Sequence, residues 1–167
     1  KLRRVSFWFS PNPKYGYSLK YPLNYLLSES TNFEYNPGSL KVMSVVIKNP
    51  SPKPGGGYSQ PYVEVAVYKN DTSDLDAWIN KHTSTLPFDD PSLSIPGSTV
   101  FYRGVTDRKE STLGGKRSIT FQSRMFESSP KPTFTIFRNY IIGLVFDNEN
   151  ETKDPELKSI FPQILST

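Results

Sequence analysis

The stretch TFTIFRNYIIGLVF, residues 133–146, decides the fold of this chain. The apolar residues of its second half leave no polar face: Ile141, Ile142, Leu144, Val145 and Phe146. Such a strand is typical of the middle of a sheet that is covered on both sides. Arg138 and Asn139 interrupt the pattern, which predicts a hairpin turn between two antiparallel strands.

Further strands are predicted on either side of this hairpin. Residues 17–21, 42–48 and 62–68 have strand patterns, and strand character also resumes from Val100. In residues 118–126, one face is expected to be buried and the other wet. The buried set is Ile119, Phe121, Ser123 and Met125, and the wet set is Thr120, Gln122 and Arg124. Gly114 and Gly115 are expected to join two of the strands in a tight turn.

Two helices are expected beside the sheet. Ser73 with Asp76 three residues later predicts the start of the first helix, which should end near Thr83. Its apolar face is Leu75, Trp78, Ile79 and His82. Asp154 and Pro155 predict the start of a closing helix, with a kink at Pro162. Its apolar stripe is Leu157, Ile160, Phe161, Ile164 and Leu165. The predicted class is therefore α+β, with two helices and six to nine strands.

The composition supports one domain over residues 1–167. The chain has 167 residues, of which 35% are hydrophobic and 14% aromatic, so its core depends unusually on aromatic rings, a balance that favours sheet. Residues 49–60, NPSPKPGGGYSQ, predict a flexible insertion rich in proline and glycine. The absence of cysteine excludes disulfides, thiolate zinc sites and cysteine nucleophiles.

Little in the sequence supports catalysis. His82 is the one imidazole, no serine lies in a G-x-S-x-G elbow, and neither glycine cluster has the residues of a phosphate-binding P-loop. A packed histidine is the commoner finding on an apolar helix face. His82 with Asp89 and Asp90 is the alternative, a weak metal site. No cofactor is predicted. A hydrolase whose carboxylates meet only in the fold stays open, although Glu64, opposite the valine face, is expected to be exposed.

The binding candidates are tyrosines and cations: Tyr15, Tyr17, Tyr58, Tyr62, Arg117 and Arg138. Exposed tyrosines beside residues 51–60 would suit a protein or carbohydrate contact. The alternative is that these tyrosines only bridge the sheet edge and solvent. The net charge of +4 is small, and acidic residues interrupt the basic group at residues 103–117. Nucleic acid is therefore not expected as a partner, and a weak binder of anionic surfaces or nucleic acid stays an alternative.

Four short motifs resemble the PsbP-like family, which includes the extrinsic PsbP subunit of photosystem II and many bacterial lipoproteins. They are YGYSLKYP at residues 15–22, SDLDAW at 73–78, TLGGK at 112–116 and IFPQILST at 160–167. The resemblance implies an antiparallel sheet flanked by helices, an α/β/α sandwich. The closing helix of that family usually continues into a short strand, which this chain is expected to lack. The insertion at residues 49–60 also departs from the compact members.

The resemblance also implies a role. The expected function is that of a non-enzymatic accessory or binding domain that contacts a protein partner in the bacterial cell envelope, outside the cytoplasm. The longest clean apolar run, residues 140–146, is too short to span a membrane. A start at Lys1 and an end at Thr167 suggest processing boundaries, so an anchor could precede Lys1 and hold the domain near a membrane. The oligomeric state is left open.

Overall fold

A computed structural model describes most of the chain. It covers residues 7–31, 33, 40–48, 62–87, 89–93, 98–124, 129–147 and 165–166, with side chains from residue 11 to residue 146 within those ranges. The predicted insertion at 49–60 lies outside the described residues, and so does the predicted closing helix up to residue 164.

A seven-stranded antiparallel sheet forms the centre of the structure. The strands are β3 (Leu26–Ser30), β4 (Lys41–Lys48), β5 (Tyr62–Lys69), β6 (Thr106–Leu113), β7 (Lys116–Gln122), β8 (Pro130–Phe137) and β9 (Tyr140–Asp147). Their spatial order is β3-β4-β5-β9-β8-β7-β6, so β9 is the fourth of seven. Ile141, Ile142 and Leu144 are fully buried. The central, doubly covered position predicted for this strand is confirmed.

A smaller sheet covers one face of the large one. It consists of β1 (Phe7–Asn12), β2 (Tyr17–Pro22) and β10 (Leu165–Ser166), in the order β1-β2-β10. Tyr17 and Leu19 of β2 pack against the valines of β4 and β5 and against Leu144. The apolar face of β4, β5 and β9 is thereby removed from water, which is the main source of stability of such a layer.

One helix, α1 (Leu75–His82), covers the opposite face. Leu75, Trp78 and Ile79 are buried there and belong to an apolar cluster with rings of the sheet, among them Phe121 and Phe134. The expected face and end of the helix are confirmed, since Thr83 is its C-cap.

The start of α1 is one residue later than predicted. Asp74, in extended conformation, is the N-cap, and its carboxylate accepts a hydrogen bond from the Ala77 amide at 2.8 Å. Ser73 instead donates its hydroxyl to Asp74 at 2.9 Å. Two good capping residues stand side by side, and the anionic one is the better acceptor at the positive end of a helix.

The end of the chain also differs from the expectation. Leu165, assigned to the stripe of a closing helix, lies in β10 and pairs with Leu19. The chain therefore has a terminal strand, which it was expected to lack. With ten strands and one α-helix in the described residues, the domain is sheet-dominated, and only one face of the large sheet carries an observed helix.

The strands β6 and β7 correct two further predictions. The chain from Val100 is not yet a strand: Tyr102 forms one isolated bridge with Thr83, and β6 begins only at Thr106. The expected wet face of β7 is buried at Thr120. Its hydroxyl lies 2.8 Å from the hydroxyls of Ser111 and Thr133. Hydroxyl groups that satisfy one another can be buried at little cost, which an alternating pattern does not reveal.

The close contact between β8 and β9 yields a first prediction. A β-carbon placed on Gly143 would lie 2.5 Å from Cε1 of the fully buried Phe134 ring. Gly143→Ala should therefore lower the free energy of unfolding by about 1–3 kcal/mol through overpacking. Urea denaturation followed by fluorescence or circular dichroism measures this change.

A double-mutant cycle provides the control. Phe134→Leu leaves room for the new methyl group. The loss of stability that Phe134→Leu causes should therefore be about 1 kcal/mol smaller in the Gly143→Ala variant than in the wild type. Strictly additive effects of the two substitutions would show that the glycine is not needed for the contact with this ring.

Candidate functional site

Three turns meet at one end of the structure. They are the β1–β2 turn at residues 13–16, the β6–β7 turn at Gly114 and Gly115, and the β8–β9 turn at Arg138 and Asn139. Both glycines have positive φ, 57° and 76°, as the tight hairpin predicted at this position requires. Ser118 of β7 pairs with Thr135 of β8, and this register places the turns before β7 and after β8 at the same end of the sheet.

The ring of Phe137 joins these turns. A β-carbon on Gly16 would lie 1.8 Å from Cε1 of Phe137, so the β1–β2 turn lies directly on this ring and only glycine permits the approach. Next to it, the rings of Tyr15 and Tyr140 meet edge to face, with centroids 4.9 Å apart. The three rings form one aromatic cluster that holds the small sheet on the end of the large one.

Three cations lie on these rings. The Lys116 ammonium is 5.0 Å from the centroid of Phe137, and the Arg138 guanidinium is 5.3 Å from the same centroid. Lys14 is 5.0 Å from the centroid of Tyr15. These distances are within the range of cation–π attraction, worth about 0.5–1 kcal/mol each at exposed sites. The rings therefore hold the cations in place without neutralising them.

We call this group the cation–aromatic end. It consists of Lys14, Tyr15, Lys116, Phe137, Arg138 and Tyr140. None of its three cations has a carboxylate partner among the residues that the structure describes, where the ion pairs involve other lysines and arginines. Three positive charges are thus concentrated at one end and are available to an anionic partner.

The two N-terminal tyrosines among the binding candidates are buried. Tyr15 and Tyr17 are each 4% exposed, and burial raises the pKa of the Tyr17 phenol well above its usual range. The Tyr17 hydroxyl meets the sulfur of Met43 at 3.5 Å and accepts a hydrogen bond from the Asn12 amide at 3.4 Å. Tyr15 belongs to the cation–aromatic end as a buried support under Lys14, and Tyr17 is a core residue.

The other binding candidates lie apart. Arg138 is exposed in the cation–aromatic end, but Arg117 points to the opposite face, where it pairs with Asp76 at 2.8 Å and Glu110 at 2.6 Å. Hydrogen bonds to Glu110 and, second, to Asp76 raise the pKa of Arg117. The positive charge of Arg117 is therefore neutralised by these two carboxylates. Tyr62 is half-buried at the start of β5, and Tyr58 lies outside the described residues.

His82 is fully buried and held on all sides. Its Nδ1 donates to the Thr99 carbonyl at 2.8 Å, and its Nε2 lies 2.8 Å from the Asp71 carboxylate. The ring stacks on Phe101 with centroids 5.0 Å apart. Packing on the helix face, the commoner role of such a histidine, is what the structure shows.

The weak metal alternative is not assembled. Both nitrogens of His82 are engaged, and Asp90 accepts hydrogen bonds from the amide and hydroxyl of Ser92, while Asp89 is exposed. Across the described ranges, no three acidic, cysteine or histidine side chains are arranged to hold a metal ion.

The expected exposure of Glu64 is also wrong. Its carboxylate is mostly buried and accepts from the Lys41 ammonium at 2.7 Å and from the Ser44 hydroxyl at 2.5 Å. Buried charges are normally paired in this way, so Glu64 is a structural group of β4 and β5.

Sequence reasoning missed Lys14, Lys116, Phe137 and Tyr140. All four lie in or beside a predicted turn. Lys14 directly precedes Tyr15, and Lys116 directly follows Gly115, so this adjacency could have identified the two lysines as candidate site residues. Their assembly into one group depends on which turns share an end of the sheet, and this follows from strand order rather than from spacing.

The Asp71 pair supports a second prediction. Burial raises the pKa of the Asp71 carboxyl, but hydrogen bonds from Lys81 and His82 outweigh burial, and the net shift is downward. A lowered folded-state pKa contributes stability above the unfolded pKa of about 4, and this contribution is lost as the pH falls through the folded value. The wild type should therefore exceed Asp71→Asn in stability by on the order of 1 kcal/mol at neutral pH, since Asp71 is partly exposed.

Urea denaturation in steps from about pH 7 to about pH 3 tests this expectation. The difference between wild type and Asp71→Asn should narrow at the acid end. Asp89→Asn is the matched control, since this exposed aspartate lies outside the ion pairs of the described residues. If the wild type and Asp71→Asn differ in free energy of unfolding by the same amount at every pH tested, the charge of Asp71 does not contribute to stability.

Comparison with known proteins concerns the fold. No protein-family model matches the chain, and no curated protein sequence matches it. Among solved structures, it is similar to the solution structure of cyanobacterial PsbP (CyanoP) from Synechocystis sp. PCC 6803, with a TM-score of 0.55. The sequences are 13% identical, and the match covers 98% of this chain and 91% of that chain. The chain thus has a PsbP-like fold, as its four short motifs predicted.

Proposed function

We propose that the protein is a non-enzymatic accessory domain that binds an acidic surface of a protein partner through its cation–aromatic end. The observation that carries this proposal is the set of three cations, Lys14, Lys116 and Arg138, held on aromatic rings without carboxylate partners in the described part of the chain. The PsbP-like fold supports an accessory role at the level of the fold.

The geometry of this end favours a protein partner. Contact with the rings favours these positions of the cations, so somewhat less side-chain entropy is lost when a partner binds. Phe137 and Tyr140 are only partly buried and offer apolar area beside the charges. Aromatic residues with arginine are the combination that protein interfaces prefer, and complementary charge guides the encounter.

A nucleic-acid polymer fits less well. Recognition of single strands needs aromatic faces that are free to stack on bases, along an extended basic groove. Here the face of Phe137 is shared by Lys116 and Arg138, and the arginines of the other face are neutralised by Asp76 and Glu110. The positive charge is a compact group and not a stripe.

Three of the described carboxylates are poorly suited to act as the general acid of a hydrolase. A general acid needs a raised pKa. The pKa of Asp74 is lowered by the Ala77 amide and Ser73, and that of Asp90 by Ser92. Hydrogen bonds from Arg117, joined by Arg108, lower the pKa of Asp76. Groups of this kind stabilise the fold as carboxylates and are poorly suited to donate a proton.

The proposed location is outside the cytoplasm, in a bacterial cell envelope. No helix in the described residues has both the length and the apolar character to cross a membrane. Cell fractionation of the protein expressed from its complete reading frame checks the location. Recovery in the cytoplasmic fraction would contradict it.

The third prediction tests the binding surface by charge reversal. The triple variant Lys14→Glu, Lys116→Glu, Arg138→Glu should lose its protein partner in affinity capture from an extract of the source cells. The loss should be on the order of tenfold or more, because attraction becomes repulsion. Quantitative mass spectrometry of the captured proteins measures the change, and capture by the wild type should fall as salt is raised.

A matched triple variant separates local charge from net charge. Lys20→Glu, Lys48→Glu, Arg124→Glu makes the same change in net charge at positions outside the cation–aromatic end. It should keep the partner. Equal losses in the two triple variants would assign the binding to net charge and overturn the proposed surface. Strong, salt-sensitive retention of the wild type on heparin, lost equally in both variants, would favour an anionic polymer instead.

A further inference from the structure

A second cationic feature lies at the opposite end of β7. A cleft of about 350 Å³ opens there, and its lining includes Asp107, Lys109, Thr120, Gln122 and Lys131. Thr120 and Gln122, which line the cleft, lie four and six residues after Lys116 in β7, so they are about 13 and about 20 Å along the strand from the cation–aromatic end. The cleft is thus separate from the surface of the proposed function, and a ligand could occupy it whether or not that surface binds a protein.

A β-bulge shapes the cleft. Thr106 pairs with Gln122 and Lys109 pairs with Thr120, so two residues of β6 stand opposite Phe121 alone. Asp107, the first of the two, has a φ of 53°, in the left-handed region that aspartate and asparagine tolerate better than most residues. An extra residue of this kind re-aims the side chains that follow it.

The bulge directs two neighbouring cations to opposite faces. The Arg108 guanidinium turns to α1, where it donates to Asp76 at 2.9 Å and also contacts Asn80. Lys109 follows on the other face, beside Thr120. Arg108 is therefore occupied on the helix side, although it also borders the cleft, and Lys109 is left to the cleft itself.

The charge of the cleft is positive. Neither Lys109 nor Lys131 has a carboxylate partner among the described residues, whose ion pairs lie elsewhere. Asp107 is the one acidic residue of the lining, and Gln122 supplies a neutral polar group, while the buried Thr120 hydroxyl is engaged with Ser111 and Thr133. Two free ammonium groups, a side-chain amide and a concave shape are the elements of a site for a small anion.

We propose that this cleft binds a small molecule through a dianionic phosphate group. The two lysines outnumber Asp107, so the cleft attracts the charge of about −2 that a phosphate monoester carries near neutral pH. Lysine ammonium groups bind phosphate as point charges. The volume of about 350 Å³ is larger than a phosphate ion needs and is near the lower limit for small-molecule pockets. The proposed ligand is therefore a small organic molecule that carries the phosphate group.

Titration with inorganic phosphate at constant ionic strength tests this proposal. Two-dimensional ¹H–¹⁵N NMR of the whole chain should show saturable shifts at the amides of Lys109, Gln122 and Lys131, with a dissociation constant on the order of 1 mM. Shifts that increase linearly without saturation, or that are spread over all surface lysines, would overturn the proposal.

Three variants examine the lining. Lys109→Met and Lys131→Met should each weaken phosphate binding about fivefold, the effect of removing one charge near a solvent-exposed site. Asp107→Asn removes the opposing carboxylate and keeps a residue that accepts positive φ, so it should tighten binding by a similar factor of about five. The dispersion of the NMR spectrum shows in each case that the variant is folded.

Lys69→Met is the matched control. It removes one exposed lysine at the end of β5, which does not line the cleft, and should leave phosphate affinity unchanged. If Lys69→Met weakens binding as much as Lys131→Met, the phosphate senses only net charge and the site is wrong.

Discussion

The double burial of β9 is the constraint on which the rest of the structure depends. Ile142 and Leu144 face the small sheet, while Ile141 faces α1. A strand with no polar face is stable only if both sides are covered, because each exposed apolar side chain would forgo the hydrophobic stabilisation of burial. Two different layers meet this need, tyrosines of β2 on one side and Trp78 of α1 on the other. The position of the turns, and with them the cation–aromatic end, follows from this arrangement.

Tyrosine supplies much of what aliphatic residues supply elsewhere. Tyr17, Tyr25, Tyr68 and Tyr102 are all buried and contribute their rings to the core. Burial raises the pKa of the Tyr68 phenol far above its usual range, and the nearby Tyr102 and Glu64 raise this pKa further. A tyrosine ring can replace an aliphatic core residue when its hydroxyl finds a partner. Whether such a partner exists depends on residues far away in the chain, as Met43 is from Tyr17.

The features that could be predicted from sequence are those that depend on local pattern. The apolar run of β9, the alternation of Val63, Val65 and Val67, the glycine turn after β6 and the face of α1 each follow from neighbours along the chain. The features that could not be predicted depend on competition or on distant pairing. Asp74 competes with Ser73 for the cap, Thr120 is buried where distant hydroxyls satisfy it, and β10 pairs with β2, which lies about 145 residues earlier in the chain. The site belongs to the second kind, since its turns lie far apart in sequence.

Strand alternation explains why the basic group at residues 103–117 gives a poor picture of the available charge. Arg108 and Lys109 are neighbours, as are Lys116 and Arg117, and neighbours in a strand point to opposite faces. Both arginines face α1 and pair with Asp76, and Arg117 pairs with Glu110 as well. Both lysines face the other way, one into the cleft and one onto Phe137. Apart from Arg103, which donates to the Leu93 carbonyl, what looks like one interrupted basic patch in sequence is two neutralised arginines on one face and, on the other, two lysines without a carboxylate partner in the described residues. Lys116 lies at the turn of the β6–β7 hairpin and Lys109 lies toward its open end, so the same short segment contributes to two distinct cationic surfaces.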